Sequence, residues 1–139
     1  MTPHPVEASL ERVAERCGDV TPFVYARLFR EQPEMEPLFR RDTTGAVKGE
    51  MLARVIEAIL DFIGERRYAH HLIQCEVVTH SGYDVPPAVF GTFFAVVAAT
   101  IREQLAEDWT DEFDAAWRTL LADLDYYVTH PDQSSTAAR

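Results

Sequence analysis

Thr21-Pro22-Phe23-Val24-Tyr25-Ala26-Arg27-Leu28-Phe29 runs through Arg30, Glu31 and Gln32 into Pro33-Glu34-Met35-Glu36-Pro37-Leu38-Phe39, and this stretch decides the fold class. Thr21 offers a hydroxyl to cap a helix, and Pro22 suits the first helical position, where a missing N–H costs nothing. Tyr25, Leu28 and Phe29 then fall on one face. Pro33 ends the segment, and Pro33 and Pro37 together forbid a second long helix while permitting a short turn that carries an aromatic ring out to Phe39. Residues 40–45 read as a polar, flexible link.

On the N-terminal side, Leu10, Val13, Ala14 and Cys17 recur at helical spacing behind a cap expected at Ser9, and the segment stops at Gly18-Asp19. On the C-terminal side, Met51, Val55, Ile59 and Phe62 form one stripe with Leu52, Ile56 and Ile63 beside it, the wide apolar face of a helix packed on two sides. A helix is expected from about Tyr68 to His80, broken by Ser81-Gly82-Tyr83-Asp84-Val85-Pro86-Pro87. The next carries Val89, Phe90, Phe93, Val97, Ile101 and Leu105. Thr110, with Asp111 and Glu112 behind it, starts the last, whose buried stripe is Trp117, Leu120, Leu121, Leu124 and Val128.

No segment alternates with the two-residue period of a strand, and no internal repeat is visible. The expected class is therefore all-α, with six or seven helices of unequal length crossing at steep angles around a pocket, unlike a symmetric bundle. A chain of 139 residues with 47% hydrophobic content has room for one such domain, 1–139, with a core over about 8–130 and a frayed tail at 131–139.

Thirteen Lys and Arg face twenty-three Asp and Glu, a formal charge of −10, and no basic block follows a phosphate backbone, so nucleic acid is not an expected partner. Cys17 and Cys75 lie in amphipathic segments without metal-binding spacing and read as small buried apolar residues in a reducing compartment. Met1-Thr2-Pro3-His4-Pro5 lacks a basic region followed by an apolar run, and no stretch reaches the roughly 20 apolar residues a bilayer span requires, so the expected setting is cytoplasmic and off the membrane.

Three stretches, Phe23 to Phe29, Pro33 to Phe39 and Thr79-His80-Ser81-Gly82-Tyr83-Asp84-Val85, resemble in order and spacing the single-domain bacterial globins and the globin module of flavohemoglobins. Asp114-Ala115-Ala116-Trp117 on the last helix is similar as well, so the resemblance covers roughly residues 10–128. It implies a globin-like fold holding heme b. It also implies His80 as the proximal ligand to the iron, Phe39 as the ring that wedges the porphyrin, and Tyr25 as the distal hydrogen-bond donor, with Phe29, Met51 and Val55 on the pocket wall. The Gln or His that often faces the ligand in this family is replaced in the region Gly49-Glu50-Met51. With the register anchored on Val55 and Ile59, Met51 faces the iron, whereas a shift in the preceding loop brings Gly49 or Glu50 there instead.

The chemistry of the residues bears on each role. His80 stands at a helix end before Gly82, with Ile73 and Val77 on its apolar side, and its Nδ1–H can reach the Glu76 carbonyl or side chain, which would fix the tautomer and strengthen the other nitrogen as a donor. A structural histidine at a helix C-terminus is the other reading of the same position. His4, His70, His71 and His130 are read as structural or solvated. A buried Tyr25 needs a partner for its hydroxyl, either a bound gas or a backbone carbonyl or water. Phe39 reads as a porphyrin contact or a plain core anchor, and Met51 as core filler or a thioether near the iron. Arg54 and Lys48 are long enough to reach a heme propionate or to remain as solvated charge.

The resemblance implies reversible binding of O2, or of NO or CO, for storage, delivery, sensing or nitric oxide scavenging. The chain lacks a flavin or nicotinamide fingerprint, and the family's proximal tyrosine matches Phe90, which has no hydroxyl. Any nitric oxide dioxygenase activity is therefore expected to be weak and to need a separate reductase. A heme-free globin fold acting as an interaction or signalling module is the alternative.

Overall fold

The computed structural model describes residues 4–64 and 87–129, and of residues 87–90 and 127–129 the backbone alone. In chain order its elements are α1 (Pro5–Cys17), α2 (Thr21–Glu31), a 3₁₀ helix (Pro33–Phe39), α3 (Ala46–Ile63), α4 (Pro87–Leu105), a short 3₁₀ turn (Ala106–Asp108) and α5 (Asp111–Thr129). Among the described residues there is no strand, in agreement with the all-α reading. None of the described helices is long and apolar enough to cross a membrane. The helix expected over residues 68–80 lies outside the described residues, as do Cys75 and the tail at 131–139.

α4 is the centre. Phe94, Val96, Val97, Ala98, Thr100, Ile101 and Leu105 are all buried, and at 100° per residue they span roughly 200° of the helix circumference. A helix of that kind has to be enclosed. α1, α2 and α5 pack directly against it, α1 also meets α5, and α3 joins through α2. Thr100, the polar member of the set, donates its hydroxyl to the Val96 carbonyl one turn back at 2.7 Å, so its burial leaves nothing unpaired. Arg27 on α2 bridges to Glu31 of its own helix and to Glu103 of α4, fastening the rim of the α2–α4 contact.

The first helix departs from the expected start. Ser9 is not a cap: α1 begins a turn earlier with Pro5 at its first position, and the His4 Nδ1 accepts the Val6 N–H at 3.1 Å. A histidine ring nitrogen thus does the work that a hydroxyl was expected to do. The predicted stripe also shifts, since Val6, Ser9 and Val13 are buried while Ala14 is exposed. Gly18 closes the helix at φ 72°, where a side chain would be strained, and its N–H reaches the Ala14 carbonyl at 2.8 Å.

The start of α2 moves by one residue as well. Thr21 is inside the helix, with Val20 before it, and both its N–H and its hydroxyl donate to the Asp19 carboxylate, at 3.0 and 2.6 Å. Those two bonds hold the Asp19 carboxyl below its usual range. At Pro33 and Thr110 the expected punctuation stands. Pro33 ends α2 and opens a 3₁₀ helix through Phe39, and the Thr110 hydroxyl accepts the Phe113 N–H at 3.0 Å to start α5.

Ser9 takes a structural role across the core. Its hydroxyl donates to the Val6 carbonyl at 2.7 Å and accepts the Trp117 indole N–H at 2.8 Å, joining α1 to α5 over a sequence distance of 108 residues. Trp117 is among the largest fully buried side chains. Ser9→Ala would leave that indole N–H buried without an acceptor and should cost about 2 kcal/mol in urea unfolding. Adding Trp117→Phe to Ser9→Ala should cost less than the sum of the two single changes, because the orphaned donor is gone. A simple sum would show that the bond contributes nothing.

Candidate functional site

Tyr25 and Phe29 lie one turn apart on α2, so their rings emerge side by side at a centroid separation of 5.9 Å. The 3₁₀ helix, bent by its two prolines, returns Phe39 against both, 5.4 Å from Tyr25 and 5.6 Å from Phe29. Phe93 of α4 completes the group at 5.7 Å from Tyr25. All of these pairs are tilted or edge-on, the arrangement that aromatic quadrupoles favour. Tyr25 is 3% exposed, whereas Phe29, Phe39 and Phe93 are only partly buried. The cluster therefore has a closed centre and an open apolar rim.

A buried phenol cannot be left without a partner. Tyr25 donates its hydroxyl to the backbone carbonyl of Lys48 at 3.1 Å, in the first turn of α3. Of the partners considered for this group, the structure supplies the backbone carbonyl. Burial pushes the phenol well above its ordinary value of 10, and the Asp42 charge pushes it further in the same direction.

Asp42 belongs to the link read from sequence as merely polar and flexible. Its two carboxylate oxygens accept the N–H groups of Val47 and Lys48, at 3.1 and 3.0 Å, while its own N–H donates to the Phe39 carbonyl at 3.0 Å. The Lys48 N–H is the largest influence holding this carboxyl below its usual range. Asp42 thus ties the helix start to the 3₁₀ helix, through its carboxylate on one side and its backbone N–H on the other, and Lys48 carries the link on to the phenol. Gly45, at φ 81°, provides the left-handed residue from which α3 begins.

The remaining candidates on α3 divide by side. Leu52, Ala58, Ile59 and Phe62 are buried, Val55 and Met51 are half-buried, and Glu50 and Arg54 are exposed. A Cβ built at Gly49 meets nothing within 4 Å, so the turn beside Lys48 is not crowded. The structure therefore brings Tyr25, Phe29 and Phe39 together, and leaves Arg54 in solvent. His80 lies outside the described residues, together with Ile73, Glu76, Val77, His70 and His71, and the Phe90 side chain is not among those described.

Sequence reasoning placed Phe93 on a core stripe and missed its share in the aromatic cluster. It also missed Asp42 and the Lys48 carbonyl. An acidic residue a few positions ahead of an apolar periodic run is a helix-start signal, and Asp42 ahead of Ala46 carries it. A backbone carbonyl used as a side-chain acceptor leaves no such trace.

Residues 22–126 match the family model described as Globin, a span that includes every site candidate from Tyr25 to His80. No curated protein and no solved structure matches the chain.

The displaced phenol gives a pH dependence. The folded chain keeps the Tyr25 proton to higher pH than the unfolded chain does, so the associated stability is complete below about pH 10 and is lost progressively above it. Tyr25→Phe should unfold at lower urea than the parent at pH 8, and the gap should narrow as pH rises past 10. A constant gap between pH 8 and 12 would show that the phenol ionises in the folded chain as easily as in water.

Proposed function

The chain belongs to the globin family, and we propose that it holds a heme through His80 and reversibly binds a diatomic gas, with Tyr25 as the hydrogen-bond donor to that gas. The family typically binds heme, and the residues present fit such a group. Phe29, Phe39 and Phe93 offer a half-open wall of rings, and Val55 and Met51 are half-buried on α3, the kind of apolar lining a flat macrocycle requires. When bound, heme would supply an iron able to take an imidazole from the protein and to bind a diatomic gas reversibly.

The observation that carries the reading is a phenol buried at the centre of that aromatic wall in a chain with a globin match. His80 provides the imidazole, and Glu76 four residues earlier offers its carbonyl or carboxylate to the other ring nitrogen. Phe39, stiffened by Pro37 two residues before it, braces the face of the macrocycle. The Tyr25 hydroxyl would donate a hydrogen bond to the gas, which would favour O2, a ligand that gathers negative charge, over CO, which accepts hydrogen bonds poorly. The order and spacing of the stretches around Tyr25, Phe39 and His80 support the single-domain type akin to flavohemoglobin globin modules.

The test begins with colour. Protein purified or reconstituted with hemin should absorb strongly near the violet end, and His80→Ala should abolish stable uptake while helical circular dichroism persists. A chain that takes up no hemin is the heme-free module instead. Tyr25→Phe should speed O2 dissociation by roughly tenfold, equivalent to about 1.4 kcal/mol, with a smaller effect on CO. Equal effects on both gases would assign Tyr25 to shaping access.

A further inference from the structure

A phenol has one proton to donate. In the structure Tyr25 gives it to the Lys48 carbonyl, so the same proton cannot at once serve a gas molecule. Whatever fixes Lys48 therefore sets the terms on which Tyr25 becomes available.

Lys48 lies in the first turn of α3, where helix ends are weakest because their N–H groups lack partners within the helix. Asp42 supplies two of those partners, through the Val47 and Lys48 N–H groups. Thr44 adds a weaker contact, its hydroxyl accepting the Ala46 N–H at 3.3 Å. Asp42 is itself anchored on the Phe39 carbonyl, and Phe39 packs edge-on against the Tyr25 ring. The ring and its acceptor are thus held from one point. The Asp42 charge is also close enough to oppose ionisation of the phenol, which places the carboxylate and the hydroxyl in one electrostatic neighbourhood.

We propose that Asp42 is a positioning residue for Tyr25: by holding the first turn of α3 it keeps the Lys48 carbonyl in place as a competing acceptor, and so limits how firmly the chain holds O2. The inference rests on the donor role given to Tyr25 above. Loosening the turn weakens the competitor and frees the phenol for the gas. Asp42 touches neither heme nor gas in this scheme and acts through Lys48 and Tyr25 alone.

The experiment uses the full-length protein carrying heme. Asp42→Ala should slow O2 dissociation by about threefold, the size expected from weakening one hydrogen bond, and leave CO dissociation unchanged. Hydrogen exchange at the Val47 and Lys48 amides, read on the same protein, should accelerate. Asp42→Asn keeps one carboxamide oxygen as acceptor and should fall between the parent and Asp42→Ala; it also carries the test should the alanine variant fold poorly. Unchanged or faster O2 loss in both variants, while Tyr25→Phe still speeds it, would overturn the role of Asp42 and leave Tyr25 as donor. O2 loss unaffected by Tyr25→Phe would mean that the donor reading has failed, and this inference with it. Parallel shifts in O2 and CO would overturn it too, since general loosening of the pocket moves both.

Discussion

The constraint from which the architecture follows is that α4 is buried across more than half of its circumference. Such a helix gains little by lying on a surface, because leaving that wide arc open would expose Val97, Ile101 and Leu105 to water. It must be wrapped, and α1, α2 and α5 wrap it. The covering helices need only one apolar face each. α1 presents Val6 and Val13, α2 presents Val24 and Leu28, and α5 presents Trp117, Leu120 and Leu124. Polar ties such as Ser9 to Trp117 and Arg27 to Glu103 then select one arrangement among the ways of wrapping.

Where sequence failed and succeeded can be traced to which interactions are local. Trp117, Leu120 and Leu124 of the α5 stripe and the breaks at Gly18 and Pro33 follow from spacing and backbone chemistry within a few residues, and they stand as read. Ser9 was misread because a serine ahead of an apolar run has the signature of a cap. Its actual partner is an indole 108 residues away, which no local pattern encodes. On α3 the stripe was drawn through Met51 with Leu52 beside it, and of the two Leu52 is the one buried. Two adjacent apolar residues at a helix start are both compatible with the period, and only the neighbouring helix decides between them.

The site shows the same division. Tyr25, Phe29 and Phe39 were legible because α2 spacing and two prolines set their directions. Phe93 was not, since it arrives from a helix whose rotation depends on everything packed around it. Asp42 was hidden differently: its signal was present, but residues 40–45 resemble a loop by composition, and polar composition says nothing about how many backbone N–H groups a carboxylate gathers.

Reliance on a main-chain acceptor decides how this aromatic cluster tolerates change. A phenol paired with a distal side chain would be orphaned whenever that side chain was replaced, at the cost of an unpaired buried hydroxyl. The Lys48 carbonyl is present whatever occupies the neighbouring positions, provided α3 starts where it does. The side chains at positions 49–51 can therefore vary without leaving Tyr25 unsatisfied. What matters for the phenol is the geometry of a helix start, which Asp42 and Gly45 hold. Substitution along residues 49–51 should accordingly disturb the aromatic cluster less than any change that displaces the first turn of α3.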